Sequence, residues 1–132
     1  MSAELYWLTL TALMTGLMWV PYILNRFMEL GILTTIFDKT ADPTPKKEWA
    51  QNMMKAHVNA GHNLAVFAPL ALVVHVAGVS TAATVLAVKV YFFARLAHYL
   101  VYTLGVPGGR TVAFLIGVGC QITLAMAVLC VH

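Results

Sequence analysis

Lys55, Asn59 and His62 are spaced by four and then three residues, which puts their side chains on one face of a helix. Arg95, His98 and Tyr102 are spaced by three and then four, and Arg110 follows eight residues later. Together they offer guanidinium, ammonium, imidazole, phenol and amide groups, most of them hydrogen-bond donors. Gathered in one place, such groups suit a small anionic ligand that carries carboxylates. A thiol on that ligand would be pushed toward thiolate, because nearby cations lower a thiol pKa from about 8.5. A nucleophile beside a lipid-facing cleft could then attack apolar electrophiles. Other chemistries fit poorly. His57 and His62 are five residues apart, not the four that put two metal ligands on one face, and no carboxylate accompanies them, so no metal site is expected. A Ser/His/Asp arrangement lacks an acid in this region other than Glu29.

The elements that carry these residues are set by composition. Of the 132 residues, 61% are hydrophobic and 10% charged, against about 25% charged in a soluble domain. One aqueous core of this size could not hide that much apolar surface. The charges also leave long gaps: 21 uncharged residues separate Glu4 from Arg26, 33 separate Lys55 from Lys89, and 14 separate Arg95 from Arg110. After Arg110 there is no Asp, Glu, Lys or Arg. A bilayer core needs about 20 apolar helical residues per crossing. The pattern predicts an all-α, four-helix membrane bundle in a single domain, residues 1–132. Its spans are roughly 4–26, 55–77, 81–104 and 110–131, with a first loop at 27–54. Backbone in lipid must satisfy its own hydrogen bonds, hence helices, and the long runs lack the alternation of a membrane barrel.

The N-terminus, MSAELYWLTL, has no basic region of the kind that opens a signal peptide, so the first span is expected to be retained. Arg26, Lys39, Lys46, Lys47 and Lys55 cluster at the first connection and Arg110 follows the third span, whereas the second connection and both termini carry no Lys or Arg. Basic loops stay cytoplasmic. An inner or plasma membrane location is expected, with both termini outside and loops one and three inside. The net charge of +3 is used up by this asymmetry, and no nucleic-acid partner is indicated. In the first loop Pro43 and Pro45 disfavour helix, with Thr44 a weak candidate cap for a second helix starting near 45. Cys120 and Cys130 are ten residues apart, about 15 Å along a helix and too far for a mutual disulfide.

In this topology the polar residues of all four spans reach the same, cytoplasmic half. Arg95 would lie roughly 10–14 Å from the nearest loop, where an unpaired charge costs at least about 2.5 kcal/mol. It should face the protein interior, either as a site residue or in a structural pair with Glu29 or a carbonyl. Arg26 and Lys55 are either site residues or anchors that reach the membrane surface. His57 and Gln121 read as hydrogen-bond partners between helices, Lys89 as structural, and His75 and His132 as incidental. Ala113 and Gly117, four apart on the last span, would let that helix approach a neighbour closely.

These stretches resemble the MAPEG superfamily, the membrane-associated proteins in eicosanoid and glutathione metabolism, in a bacterial-type form. KAHVNAGHNLAVFAPLAL is similar to that family's R-A-H-x-N-x-x-E-N-x-x-x-F-x-P-L pattern, and ARLAHYLVYTLGVPGGRT to its A-R-x-x-H-x-x-x-Y followed by Arg. The resemblance implies a homotrimer that binds glutathione at subunit interfaces on the cytoplasmic side. It implies that Arg26, Asn59, His62, Arg95, His98 and Tyr102 surround the tripeptide and that Arg110 stabilises its thiolate. His62 stands where the enzymes commonly carry Glu. The function implied is conjugation or reduction of lipophilic small molecules by glutathione. The alternative is a non-catalytic binder of membrane lipid or of a small anionic ligand, like the lipoxygenase-activating member of the family. A small multidrug transporter of similar length would need a deep carboxylate in its first span, where this chain has Glu4 and Glu29 at the ends.

Overall fold

The structure is a computed structural model and describes residues 1–130. Its helices, in chain order, are α1 (Ala3–Leu17), α2 (Val20–Leu30), α3 (Ile32–Phe37), α4 (Glu48–Val76), α5 (Ala82–Leu104) and α6 (Gly109–Leu129). Four segments are long and apolar enough to cross a bilayer: Ala3–Leu30, Glu48–Val76, Ala82–Leu104 and Gly109–Leu129. The four expected spans are therefore present, and each extends beyond or close to its expected limits. The first consists of α1 and α2 together. Pro21 has no N–H to give the preceding turn, and the helix is interrupted at Met18–Trp19. Within α1 the hydroxyls of Thr9, Thr11 and Thr15 each donate to the carbonyl four residues back, which satisfies polar side chains where water is scarce.

The first connection is shorter than the sequence suggests. Gly31, with a positive φ of 85°, ends α2, and the residues after it form α3 before the chain turns irregular. Thr44 does not cap the next helix. Its backbone N–H donates to the Asp42 carboxylate at 2.9 Å, and this bond, with that of the Thr44 hydroxyl, holds the Asp42 carboxyl below its ordinary range. The N-cap of α4 is Lys47, which makes no side-chain capping bond. Glu48 in the first turn complements the helix dipole instead. By contrast, α5 begins with a full reciprocal cap between Thr81 and Thr84.

Helix α5 packs against α6, α4 and α1, and α4 also packs on α1 and α6. Small residues permit the approach: along α4 the buried positions include Ala50, Ala56, Ala60 and Ala71. One apolar cluster forms around Phe67 and Tyr91, whose rings stack at 3.8 Å with an interplanar angle of 4°. A second lies nearer the first connection, around Met18, Tyr22, Met53 and Tyr99, where the Tyr99 hydroxyl donates to the Met18 carbonyl at 2.8 Å. That bond closes the break between α1 and α2. Outside these cores the surface is apolar: Leu13, Leu72, Leu86, Phe93, Leu115 and Ile122 are all exposed. In water such a surface would aggregate; against acyl chains it is in its proper solvent.

Candidate functional site

The two helix faces singled out from spacing meet. Asn59 comes from the first half of α4. Arg95, His98 and Tyr102 come from the last three turns of α5, and Arg110 from the first turn of α6. Short connections make α4, α5 and α6 antiparallel neighbours, so these segments share one end of the bundle. Arg95 is only 2% exposed, and its Nη2 donates to Asn59 Oδ1 at 2.7 Å. The same nitrogen lies 3.4 Å from His98 Nδ1. A guanidinium is donor only, so Nδ1 accepts and the ring's remaining proton sits on Nε2. Arg110 lays its guanidinium over the Tyr102 ring, 4.7 Å from the centroid, a cation–π contact. The His98 and Tyr102 rings lie 5.6 Å apart.

Three adjoining depressions open here, and Tyr102 lines all of them. The first, about 440 Å³, is bounded by Met54, Lys55, Val58, Asn59, His62 and Tyr102. The second, about 280 Å³, is bounded by Asn59, His98, Tyr102, Arg110, Thr111 and Phe114. The third, about 210 Å³, lies between Asn52 and the α5–α6 turn, again with Arg110. Lys55, His62 and Arg110 are exposed into this region, whereas Asn59 and Tyr102 are half-buried. Met54, Val58 and Phe114 give the first two depressions apolar wall, and cationic and donor groups line the rest. That arrangement can hold an anionic head beside an apolar body.

Spacing alone singles out neither Asn52 nor Phe114. Asn52 lies three residues before Lys55 and seven before Asn59, so the same helical periodicity would have found it. Phe114 follows Arg110 near the start of a helix and carries no such signal, whereas Thr111 belongs with Arg110 to the polar start of the last span.

Arg26 stands apart. Within the chain it does not line the depressions: its Nε donates to the Asp42 carbonyl at 3.0 Å, and Nη1 lies 3.6 Å from Glu29. Glu29 also accepts from Asn25 Nδ2 at 2.6 Å and from the Lys46 N–H at 3.0 Å. This network ties the irregular loop to the end of α2. Arg95 pairs with Asn59, not Glu29.

The remaining polar residues separate similarly. His57 bonds the Tyr22 hydroxyl through Nδ1 at 2.7 Å, and Gln121 donates to the Asn63 carbonyl at 3.3 Å, both between helices as expected. His75, expected to be incidental, meets Ser2 Oγ at 3.1 Å. Glu4, read from sequence as a terminal charge, is 1% exposed. It accepts from the Ser80 and Thr84 hydroxyls, each at 2.8 Å. These contacts fasten the far end of the bundle.

A family model described as MAPEG family matches residues 4–130. The chain belongs to the MAPEG family. Nearly all of its length is covered, including α4 and α5 with the whole polar cluster. As a MAPEG chain with four apolar spans it is an integral membrane protein, and the transporter alternative falls away. Comparison with curated proteins and with solved structures finds no match.

Proposed function

We propose that this MAPEG chain is a glutathione-dependent membrane transferase or peroxidase that acts on lipophilic electrophiles as a homotrimer. The observation that carries the reading is the convergence of Arg110, His98, Tyr102, Asn59 and Lys55 on adjoining depressions whose other walls include Met54, Val58 and Phe114. The donor set fits a peptide with two carboxylates. When bound, glutathione supplies the thiol nucleophile. Lys55 and Arg110 would attract the carboxylates, and His98, through Nε2–H, and Tyr102 would donate to them or to peptide carbonyls. The Arg110 guanidinium, held over Tyr102 at the entrance to α6, would stabilise negative charge on the sulfur and keep the proton off it. Arg95 acts one step behind, fixing the Asn59 amide and the His98 tautomer. Arg26 binds the first loop. Orientation follows the basic loops, with this end of the bundle cytoplasmic.

The test is purification in detergent, addition of glutathione with a chlorodinitrobenzene-type electrophile, and comparison with Arg110→Ala. Turnover should fall roughly a hundredfold, the usual cost of losing one preorganised charge-stabilising donor. Absence of thiol-dependent turnover, together with absence of calorimetric glutathione binding, would remove the reading. One observation favours a second reading, a non-catalytic binder of lipid or of a small anion: His62, not a carboxylate, lines the first of these depressions. Lipid copurifying there, without thiol-dependent activity, would establish that alternative.

A further inference from the structure

Between Lys55 and Arg95 the chain has a single Lys or Arg, Lys89, and it belongs to the half of the bundle opposite the cationic depressions. It lies seven residues after Ala82 on α5, about 10 Å along the axis. The sequence reads it as structural. Among the described residues, however, it makes no hydrogen bond or ion pair, and it is exposed. With Ser80, Thr81, Val85 and Leu86 it lines a depression of about 550 Å³. The Ser80 hydroxyl gives its proton to Glu4 at 2.8 Å. The Thr81 hydroxyl accepts from the Thr84 N–H at 3.2 Å, so its own proton remains available to a ligand.

An ammonium at this depth on the outside of a membrane helix must reach water or an anion. Neither the chain nor a copy of it supplies that anion from a side chain. Of the five Asp and Glu residues, Glu29, Asp38, Asp42 and Glu48 lie between the end of α2 and the first turn of α4, at the other end of the bundle. The fifth, Glu4, is at this end but is 1% exposed and committed to Ser80 and Thr84. In a cyclic oligomer every copy crosses the bilayer in the same sense and presents the same residues at the same depth. A second copy therefore brings no free side-chain carboxylate to Lys89. The bilayer does bring phosphate to this level. Leu86 also borders a groove of about 410 Å³ between α5 and α6, whose walls include Ala83, Ala87, Val90, Ile116 and Gly119. From Ala83 to Val90 the groove follows α5 for about 10 Å, from beside the depression toward the middle of the bilayer. Gly119 leaves it open, since nothing lies within 4 Å of where its Cβ would stand.

We propose that a glycerophospholipid of the leaflet at this end binds here, with its phosphate on the Lys89 ammonium and the Thr81 hydroxyl and one acyl chain along the α5–α6 groove. A cation and a hydroxyl at headgroup level, joined across Leu86 to an apolar channel, match the head and the tail of such a lipid. The site lies away from the depressions read as a glutathione site and does not depend on that reading.

The experiment uses the full chain in detergent, with lipid occupancy read by native mass spectrometry. The probes are phosphatidylglycerol and a diacylglycerol with the same acyl chains, which differ only by the phosphoglycerol head. The wild type should bind phosphatidylglycerol about tenfold more tightly, the scale of one charge-assisted hydrogen bond. Lys89→Met should lose that advantage and still bind diacylglycerol as the wild type does, whereas Lys89→Arg, which keeps the cation, should retain it. Gly119→Phe fills the groove and should weaken both lipids about tenfold. Gly119 is helical, faces open space and has no positive φ, so this variant should fold. Equal binding of the two lipids by the wild type, or unchanged phosphatidylglycerol binding by Lys89→Met, would overturn the inference. So would a Gly119→Phe chain that binds both lipids normally. A crosslink between copies through Lys89→Cys in native membranes, absent from the wild type, would show a second copy covering this face and would overturn it as well.

Discussion

Asn59 connects the buried interior with the open depressions. Its side-chain oxygen takes one edge of the Arg95 guanidinium while the residue lines two of the cavities. Removing that amide would leave a buried charge with one partner fewer, and such losses cost about 1–3 kcal/mol. Removing the charge as well relieves the penalty. Denaturant unfolding in detergent should therefore find Asn59→Ala less stable than wild type by that amount, and the double variant Asn59→Ala with Arg95→Leu less destabilised than the single one. If the double variant is the worse of the two, Arg95 stabilises the bundle by some route other than relief of its own burial. The Tyr22–His57 bond is a simpler case, since it joins one hydroxyl to one ring nitrogen. Tyr22→Phe should cost about 1 kcal/mol, and thermal unfolding would show whether the 2.7 Å contact contributes as a hydrogen bond or only as packing.

Helix α6 carries the clearest correction at the level of elements. Ala113 and Gly117 read from sequence as a close-approach surface for another subunit, yet both are buried within the chain. A Cβ on Gly117 would lie 3.6 Å from the Tyr91 ring and 3.8 Å from Arg95 Cδ, so the small residues seat α6 against α5. Those distances are ordinary contacts. Gly117→Ala should be tolerated, and stabilising by about 0.5–1 kcal/mol through the lost backbone entropy of a mid-helix glycine. Gly117→Leu must displace Tyr91 or Arg95 and should cost about 1–3 kcal/mol from overpacking. Because Arg95 positions Asn59 and His98, the leucine variant should also weaken ligand binding without touching ligand, which titration of the folded variant would reveal. At the opposite end Glu4, bonded to Ser80 and Thr84, joins the start of α1 to the start of α5. Glu4→Leu leaves the Ser80 hydroxyl without its acceptor while the Thr84 hydroxyl keeps the Thr81 carbonyl at 3.0 Å, and unfolding should be easier by about 1–3 kcal/mol.

At the scale of the whole molecule, Val58 is both part of the exposed apolar exterior and a wall of the first depression, so on the proposed reading a lipophilic molecule dissolved in the bilayer would reach the cationic groups from the lipid side. The proposed trimer no longer draws support from Ala113 and Gly117. It rests on the resemblance to family patterns and on a site that is open on one side within the single chain. Crosslinking in native membranes should give a product of three chains; a product of two, or none, would remove the trimer. Cysteines introduced at Lys39 and at Ser2 should label from opposite faces of the membrane, with Lys39→Cys reached from the cytoplasmic side. Labelling of both from one face would sink the four-span topology, and exchange of the two faces would reverse the orientation.

The sequence by itself determined the number of crossings, because charge-free length in a bilayer is fixed by hydrocarbon thickness and by the need to satisfy backbone groups. It also determined which faces of α4 and α5 carry the polar groups, because helical spacing fixes which side chains share a face. Tertiary structure decided the pairings. Arg95 could have met Glu29 or a carbonyl; the rotation of α4 against α5 gives it Asn59. Arg26 could have reached only the membrane surface; the path of the first loop brings the Asp42 carbonyl to it. Periodicity states which face a residue occupies, but the partner opposite depends on the depth and rotation of a second helix. Those are fixed by how Phe67, Tyr91 and the small residues of α4 and α6 fill the space between them.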